Sequence, residues 1–358
     1  MRIPRPRSQQ LIALFCAGLL SVAAWADTPP ARVSGNGGVT ATDFSAPYSA
    51  FASPESLVRF QQMIVENRSA PGLGSPIEVS RAYYERINAD RVERMKKLYP
   101  VKIAAQTIGG VPTDVVEPAA GIGGDSHERV LINLHGGGFL WGAHSGGLVE
   151  SIPIASLGKI KVVSVDYRQG PEYVFPTASD DVEAVYRALL KHYKAKNIGI
   201  YGCSAGGFLT AESVARFISK HLPVPGAIGT FCASLVALDG DSVYTAPPLN
   251  GDAVPKHPIQ LTDLPYFKGA SPTDPQVLPG VSPQLLAKFP PTLLISGTRD
   301  FSMSSVIRSH ALLTQAGVDA DLHVWDGMWH SFFSDPELPE SKDAYNVIVK
   351  FFARHLGH

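Results

Sequence analysis

Ile198-Gly199-Ile200-Tyr201-Gly202-Cys203-Ser204-Ala205-Gly206 decides the fold. A short apolar run ends in Gly-x-Ser-x-Gly, and residues 206–219 (GGFLTAESVARFIS) carry a helical pattern directly after it. A strand that reverses at once into a helix forces its central residue into strained backbone angles. Glycines two residues before and after remove side chains that would collide there. The Ser204 hydroxyl then stands above the C-terminal edge of a sheet, over the positive end of a helix. The pentapeptide alone is a weak signal, and its strand-turn-helix setting gives it meaning.

The rest of the chain has the matching rhythm. Strands are predicted at 101–107, 112–116, 129–134, 161–166, 197–201, 227–232, 292–296 and 320–325. Runs such as Val130-Leu131-Ile132-Asn133-Leu134 and Thr292-Leu293-Leu294-Ile295-Ser296 are continuous and largely apolar, which suits strands covered on both faces. Helices are predicted between them at 147–157, 178–193, 206–219, 303–316 and 340–355. The alternation predicts an α/β domain with a mostly parallel sheet and helices on both faces. Residues 234–283, rich in Pro, Asp, Gly and Ser, break the rhythm and read as an insertion forming part of a lid.

Before this core, helices are predicted at 54–66 and 77–98, the second ended by Pro100. The stripes are Leu57, Phe60, Met63 and Ile64, then Ile77, Ala82, Ile87, Val92 and Met95. Residues 27–52 read as a flexible arm. Residues 1–26 read as a secretory signal peptide: Arg2, Arg5 and Arg7, an apolar run over 11–24, then Ala24-Trp25-Ala26. That run falls short of the roughly 20 residues that span a bilayer. Secretion or a periplasmic location is therefore expected, with no stable membrane span once the signal is cleaved.

The 358 residues are 45% hydrophobic and 18% charged, enough for a sizeable core and too apolar for disorder. A net charge of −1 gives no general attraction for nucleic acid. Three cysteines exclude a disulfide scaffold. Metal-binding and nucleotide-binding motifs are missing: the sequence has no H-E-x-x-H, no paired C-x-x-C and no Walker A stretch. No metal or organic cofactor is expected.

Two further stretches complete a candidate site. His135-Gly136-Gly137-Gly138-Phe139 follows the strand Val130–Leu134 and can aim backbone N–H groups at an oxyanion, joined by the N–H of Ala205. A serine nucleophile also needs a base and an orienting acid. His330, five residues beyond the predicted end of the last strand at Trp325, and Asp300, just after the strand ending at Ser296, emerge at the same sheet edge as Ser204. Asp326 is a rival acid, though close to His330 along the chain. Phe139, Trp141 and Trp329 adjoin these motifs and are candidates for packing or for lining a substrate pocket.

In order, H-G-G-G, the G-x-S-A-G-G elbow, Gly297-Thr298-Arg299-Asp300 and Gly327-Met328-Trp329-His330-Ser331-Phe332 resemble the hormone-sensitive-lipase family of α/β-hydrolases, the bacterial type IV esterases. Asp166-Tyr167-Arg168-Gln169-Gly170-Pro171-Glu172 with Phe175-Pro176 resembles that family's D-Y-R-L-A-P-E segment. The likeness runs from about residue 100 to 356. It implies an α/β-hydrolase fold with an eight-stranded sheet and a helical cap that includes residues 53–100. It implies acyl-ester hydrolysis with Ser204 as nucleophile, Asp300 as acid and His330 as base, and Gly137, Gly138 and Ala205 as oxyanion donors. Cys203 stands where the family has Asp or Thr, Gln169-Gly170 replace Leu-Ala, and Ser331 replaces Gly. Asp166, Arg168 and Glu172 are expected to form one ionic cluster under the site, and His135 to anchor the glycine loop. Cys203 and Cys232 are expected as buried free thiols, with a disulfide left open.

The reading is therefore a secreted serine carboxylesterase acting on a small-molecule ester; a homodimer is compatible with the sequence. A lactone, amide, carbamate or polyester substrate would use the same triad. A non-catalytic ligand-binding protein on this fold is the alternative of another class.

Overall fold

The structure, a computed structural model, describes residues 31–41, 44–72 and 74–357. The expected signal peptide lies outside them. The described residues up to Pro47 belong to a unit of their own. In it β1 (Arg32–Val33) and β2 (Val39–Thr40) pair antiparallel, with all four residues exposed.

The second unit begins at Tyr48. This corrects the expected arm of 27–52 at its end: the Tyr48 ring lies 5.0 Å from that of Phe60, and the Arg299 guanidinium covers it at 4.8 Å. Helix α1 (Pro54–Asn67) starts where Ser53 accepts the Ser56 N–H and Pro54 supplies a preset turn. Helix α2 (Ile77–Leu98) follows and buries Val92 and Met95; Ala82 of its expected stripe is exposed instead.

The core then alternates as predicted. In chain order come β3 (Val101–Ile108), β4 (Val111–Pro118), β5 (Val130–Leu134), α3 (Ser145–Gly158), β6 (Lys161–Val165), α4 (Thr177–Leu189), β7 (Ile198–Cys203), α5 (Ala205–Ser219) and β8 (Ala227–Phe231). After them come α6 (Asp241–Leu249), α7 (Pro283–Leu286), β9 (Thr292–Arg299), α8 (Met303–Gln315), β10 (Ala320–Trp329) and α9 (Pro339–His355). Eight strands form one sheet in the order β10-β9-β8-β7-β5-β6-β4-β3. It is parallel except for β4, which runs antiparallel to both β3 and β6. The predicted strand 320–325 extends to Trp329 through an irregularity after Trp325.

Strand alternation divides the core into two layers. Val130, Ile132, Leu134, Ile198 and Ile200 pack with α4, α5 and α8. Leu131, Tyr201, Cys203, Phe231 and Ile295 pack with α2, α3 and α9. Residues 234–283 are not a plain flap. Besides α6 they form single helical turns, and Leu238, Leu261, Leu264, Tyr266 and Phe267 are built into the first layer.

Candidate active site

The strand order reverses beside β5, which has β6 on one side and β7 on the other. A crevice opens beyond the C-terminal ends of strands at such a point. The glycine loop leaves β5 there, and the sharp turn at Ser204 leaves β7. Ser204 has φ 54° and ψ −121°, a strained conformation for a residue with a side chain. Close approach demands glycine on both sides of it. A Cβ at Gly206 would lie 1.7 Å from the Leu134 carbonyl oxygen, and one at Gly202 would lie 2.2 Å from it. Ala205 opens the 15-residue α5, where a first-turn N–H has no intrahelical acceptor.

The glycine loop presents further free donors. Among the described residues, neither the Gly137 nor the Gly138 N–H donates a hydrogen bond. His135 anchors the loop from below. Its ring stacks on Tyr167 at 4.2 Å, and the Tyr167 hydroxyl donates to the His135 carbonyl at 2.7 Å. Nδ1 lies 2.7 Å from the Gly136 carbonyl and must donate to it, so Nε2 accepts from Gln169 Nε2 at 3.2 Å. Burial lowers the His135 pKa, which favours this neutral form. Gln169 also donates to the Trp141 carbonyl at 3.2 Å, giving one of the sequence departures a place in the loop's support.

Asp300 and His330 meet: His330 Nδ1 lies 2.8 Å from Asp300 Oδ1. Asp300 is fully buried and also accepts from the Ser302 N–H and the Ser296 hydroxyl, each at 2.9 Å. Burial pushes its carboxyl up, but His330 beside it and the Ser302 donors outweigh this and hold it below the ordinary value. Phe301 stacks on the imidazole at 4.5 Å. The rival Asp326 is exposed and accepts from the Ser49 hydroxyl, so it is not the partner of His330. Ser204 and His330 line the same cleft, with no hydrogen bond between them among the described residues. Catalytic contacts of this kind commonly tighten only around a bound substrate.

The cleft has a volume of about 410 Å³. Its apolar wall includes Trp141, Phe208, Leu238, Leu261, Leu264 and Phe301. Tyr84 from α2 lies flat on Trp141 at 4.6 Å and 6°. Tyr84, Asn88 and Arg91 all border the cleft, and their spacing of four and three residues places them on one helical face. That spacing was the available signal for them. Phe139 touches the cleft but is 1% exposed, packed against Tyr266 at 4.7 Å and Phe267 at 4.9 Å. Trp329 does not line the cleft. It is buried in the second core layer, 5.9 Å from the Phe60 ring, because the strand continues through it and turns its side chain inward.

A family model described as α/β hydrolase fold matches residues 131–334. The chain belongs to the α/β-hydrolase family. The esterase of Acinetobacter venetianus is 26% identical to it over 274 residues, 73% of this chain and 86% of that one. A crystal structure titled esterase E25 matches with a TM-score of 0.75 at 29% identity, over 88% of this chain and 98% of that one. An esterase from the bacterial hormone-sensitive lipase family matches with a TM-score of 0.74 at 27% identity, over 86% and 100%. With these esterase neighbours, the hydrolase is of the serine type.

Two of this hydrolase's departures from the family pattern touch each other. Cys203 Sγ lies 2.8 Å from Ser331 Oγ, and the Ser331 N–H donates to Cys232 Sγ at 3.3 Å. Both thiols are free and buried, and burial pushes both pKa values up. The expected Asp166–Arg168–Glu172 cluster does not form. Asp166 pairs with His144 at 2.8 Å, Arg168 with Asp181 at 2.8 Å and Glu172 with Arg81 at 2.7 Å, because each side chain leaves the loop toward a different element. Among the described residues, two groups bring three metal-ligand atoms within 4.8 Å of one another: Cys232 with Asp300 and His330, and Asp114 with His144 and Asp166. In the first group the Asp300–His330 hydrogen bond already engages two of the three residues.

Proposed function

We propose that this hydrolase is a serine carboxylesterase working through Ser204, His330 and Asp300. His330 takes the Ser204 proton, and Oγ attacks the ester carbonyl. The resulting oxyanion accepts hydrogen bonds from the N–H groups of Gly137, Gly138 and Ala205, over the N-terminus of α5. His330 returns the proton to the departing alcohol. Water, deprotonated by His330, then releases the carboxylic acid and restores Ser204. Asp300 holds Nδ1 and offsets the imidazolium charge.

One observation carries this reading: the strained Ser204 shares a cleft with an imidazole tied to a fully buried carboxylate, beside loop N–H groups that have no internal acceptor. The largely apolar cleft walls suit an uncharged ester. Export is proposed from residues 1–26, with N-terminal sequencing of periplasmic or secreted protein as its check: a start at Asp27 supports cleavage, and a start at Met1 contradicts it.

The activity test compares kcat/KM of wild type and Ser204→Ala on a chain-length series of p-nitrophenyl esters, a lactone and an anilide. Ester turnover that falls by roughly 10⁴-fold or more in the variant is expected. Equal rates for the two proteins would refute the triad, and a preference for lactone or anilide would move the activity to that bond.

A further inference from the structure

Glu150 on α3 touches both halves of the site. Its Oε1 accepts the Gly136 N–H at 2.9 Å, and its Oε2 accepts the Cys203 N–H at 3.1 Å and the Asn133 amide at 3.0 Å. Asn133 in turn accepts from the Ser164 hydroxyl at 3.3 Å, which fixes the orientation of its amide. The position explains the need. The register of β5 with β7 ends at the pair Leu134 and Gly202, and beyond it one chain enters the glycine loop and the other the elbow. Glu150 takes an N–H from each chain just past that point. The three parts share one small volume: a Cβ on Gly136 would lie 3.5 Å from Ser204 Cβ and 3.6 Å from Glu150 Oε1.

We propose that Glu150 is a positioning residue for ester hydrolysis: its carboxyl clamps the glycine loop to the nucleophile elbow and so sets the oxyanion donors against the Ser204 hydroxyl. The proposal rests on the triad reading above. It has a second consequence through charge. Burial pushes the Glu150 carboxyl up to about 8, against the pull of the Gly136, Asn133 and Cys203 donors. Near neutrality the clamp is therefore uncharged, and no anion competes with the oxyanion. At higher pH it ionises beside the donors and opposes the oxyanion.

His135 below the loop is kept neutral by burial, and Tyr167, Tyr201, Cys203 and Cys232 are all pushed up. Arg91 borders the cleft from α2, and Asp300 with His330 stands after β9 and β10.

Gln tests both parts, because it offers one acceptor oxygen to two backbone donors and cannot ionise. The full chain is assayed as wild type, Glu150→Gln and Ser204→Ala on p-nitrophenyl butyrate from pH 6.5 to 9.5, with melting temperatures measured in parallel. Glu150→Gln should lower kcat about 10- to 100-fold, with KM within about threefold of wild type. Wild-type kcat should fall on an alkaline limb near pH 8 that Glu150→Gln lacks. A Gln variant with kcat within twofold of wild type, or with the same alkaline limb, would overturn the proposal. So would wild-type kcat that stays flat to pH 9.5, even if the variant fails to fold. Failure of the triad reading looks different: the wild type is inactive, or Ser204→Ala stays active.

Discussion

Replacing Asp300 by Asn removes a charge and almost no volume, and the structure says which way the amide will turn. Oδ1 accepts from both His330 Nδ1 and the Ser302 N–H, whereas Oδ2 meets the Ser296 hydroxyl. A hydroxyl can reverse its role and accept, but a backbone N–H cannot. The amide oxygen therefore takes the Oδ1 position, and the NH₂ donates to Ser296. His330 keeps its proton on Nδ1 and its free Nε2, so Asp300→Asn loses the charge without losing the tautomer. Two unit charges about 4 Å apart at an effective dielectric near 20 interact by about 4 kcal/mol. That is a factor of about 10³ in rate. The wrong tautomer would cost about 10⁴. The assay is kcat/KM on p-nitrophenyl butyrate for both proteins, with ¹⁵N spectra of the imidazole. A loss smaller than about tenfold, or a proton found on Nε2, would refute the reasoning.

Removing the aromatic pair on the cleft wall should act on binding. Tyr84→Ala loses a stack worth about 0.5–1.5 kcal/mol, so KM for an ester that reaches this wall should rise about 2- to 12-fold with kcat little changed. Gly206→Ala places a methyl 1.7 Å from the Leu134 carbonyl oxygen, so the variant should yield little folded protein by circular dichroism. Asp300 is held below its ordinary value, so its stabilising contribution is present above about pH 3.9 and lost as pH falls through the folded pKa. The melting temperature of Asp300→Asn should accordingly depend less on pH below 4. Glu150 has the opposite sign. Folded, it keeps a proton that the unfolded chain releases near pH 4.3, so stability falls as pH rises from there toward about 8. Between pH 5 and 8 the wild type should lose more melting temperature than Glu150→Gln.

The fold was legible because its decisive signals are local. A largely apolar run such as Val130–Leu134, buried on both faces, reads the same in sequence and in space. The elbow and the glycine loop each follow such a run within a few residues. What the sequence concealed depends on which elements meet. Glu150 lies within a helix whose face is unknown until α3 is seen against the ends of β5 and β7. Glu172 looked like a partner for its neighbour Arg168, yet it reaches Arg81, 91 residues away along the chain. Trp329 adjoins His330 but is the last residue of its strand and turns into the core, which is why adjacency misplaced it. The insertion at 234–283 has no periodic pattern, and its role in walling the cleft through Leu238, Leu261 and Leu264 emerges only from packing.

The most direct test of the account is the covalent one. Wild type and Ser204→Ala are treated with a fluorophosphonate, digested and mapped by mass spectrometry. The account predicts a single adduct on the Ser204 hydroxyl in the wild type and none in the variant. An adduct on another residue, or labelling of Ser204→Ala at the wild-type rate, would contradict it.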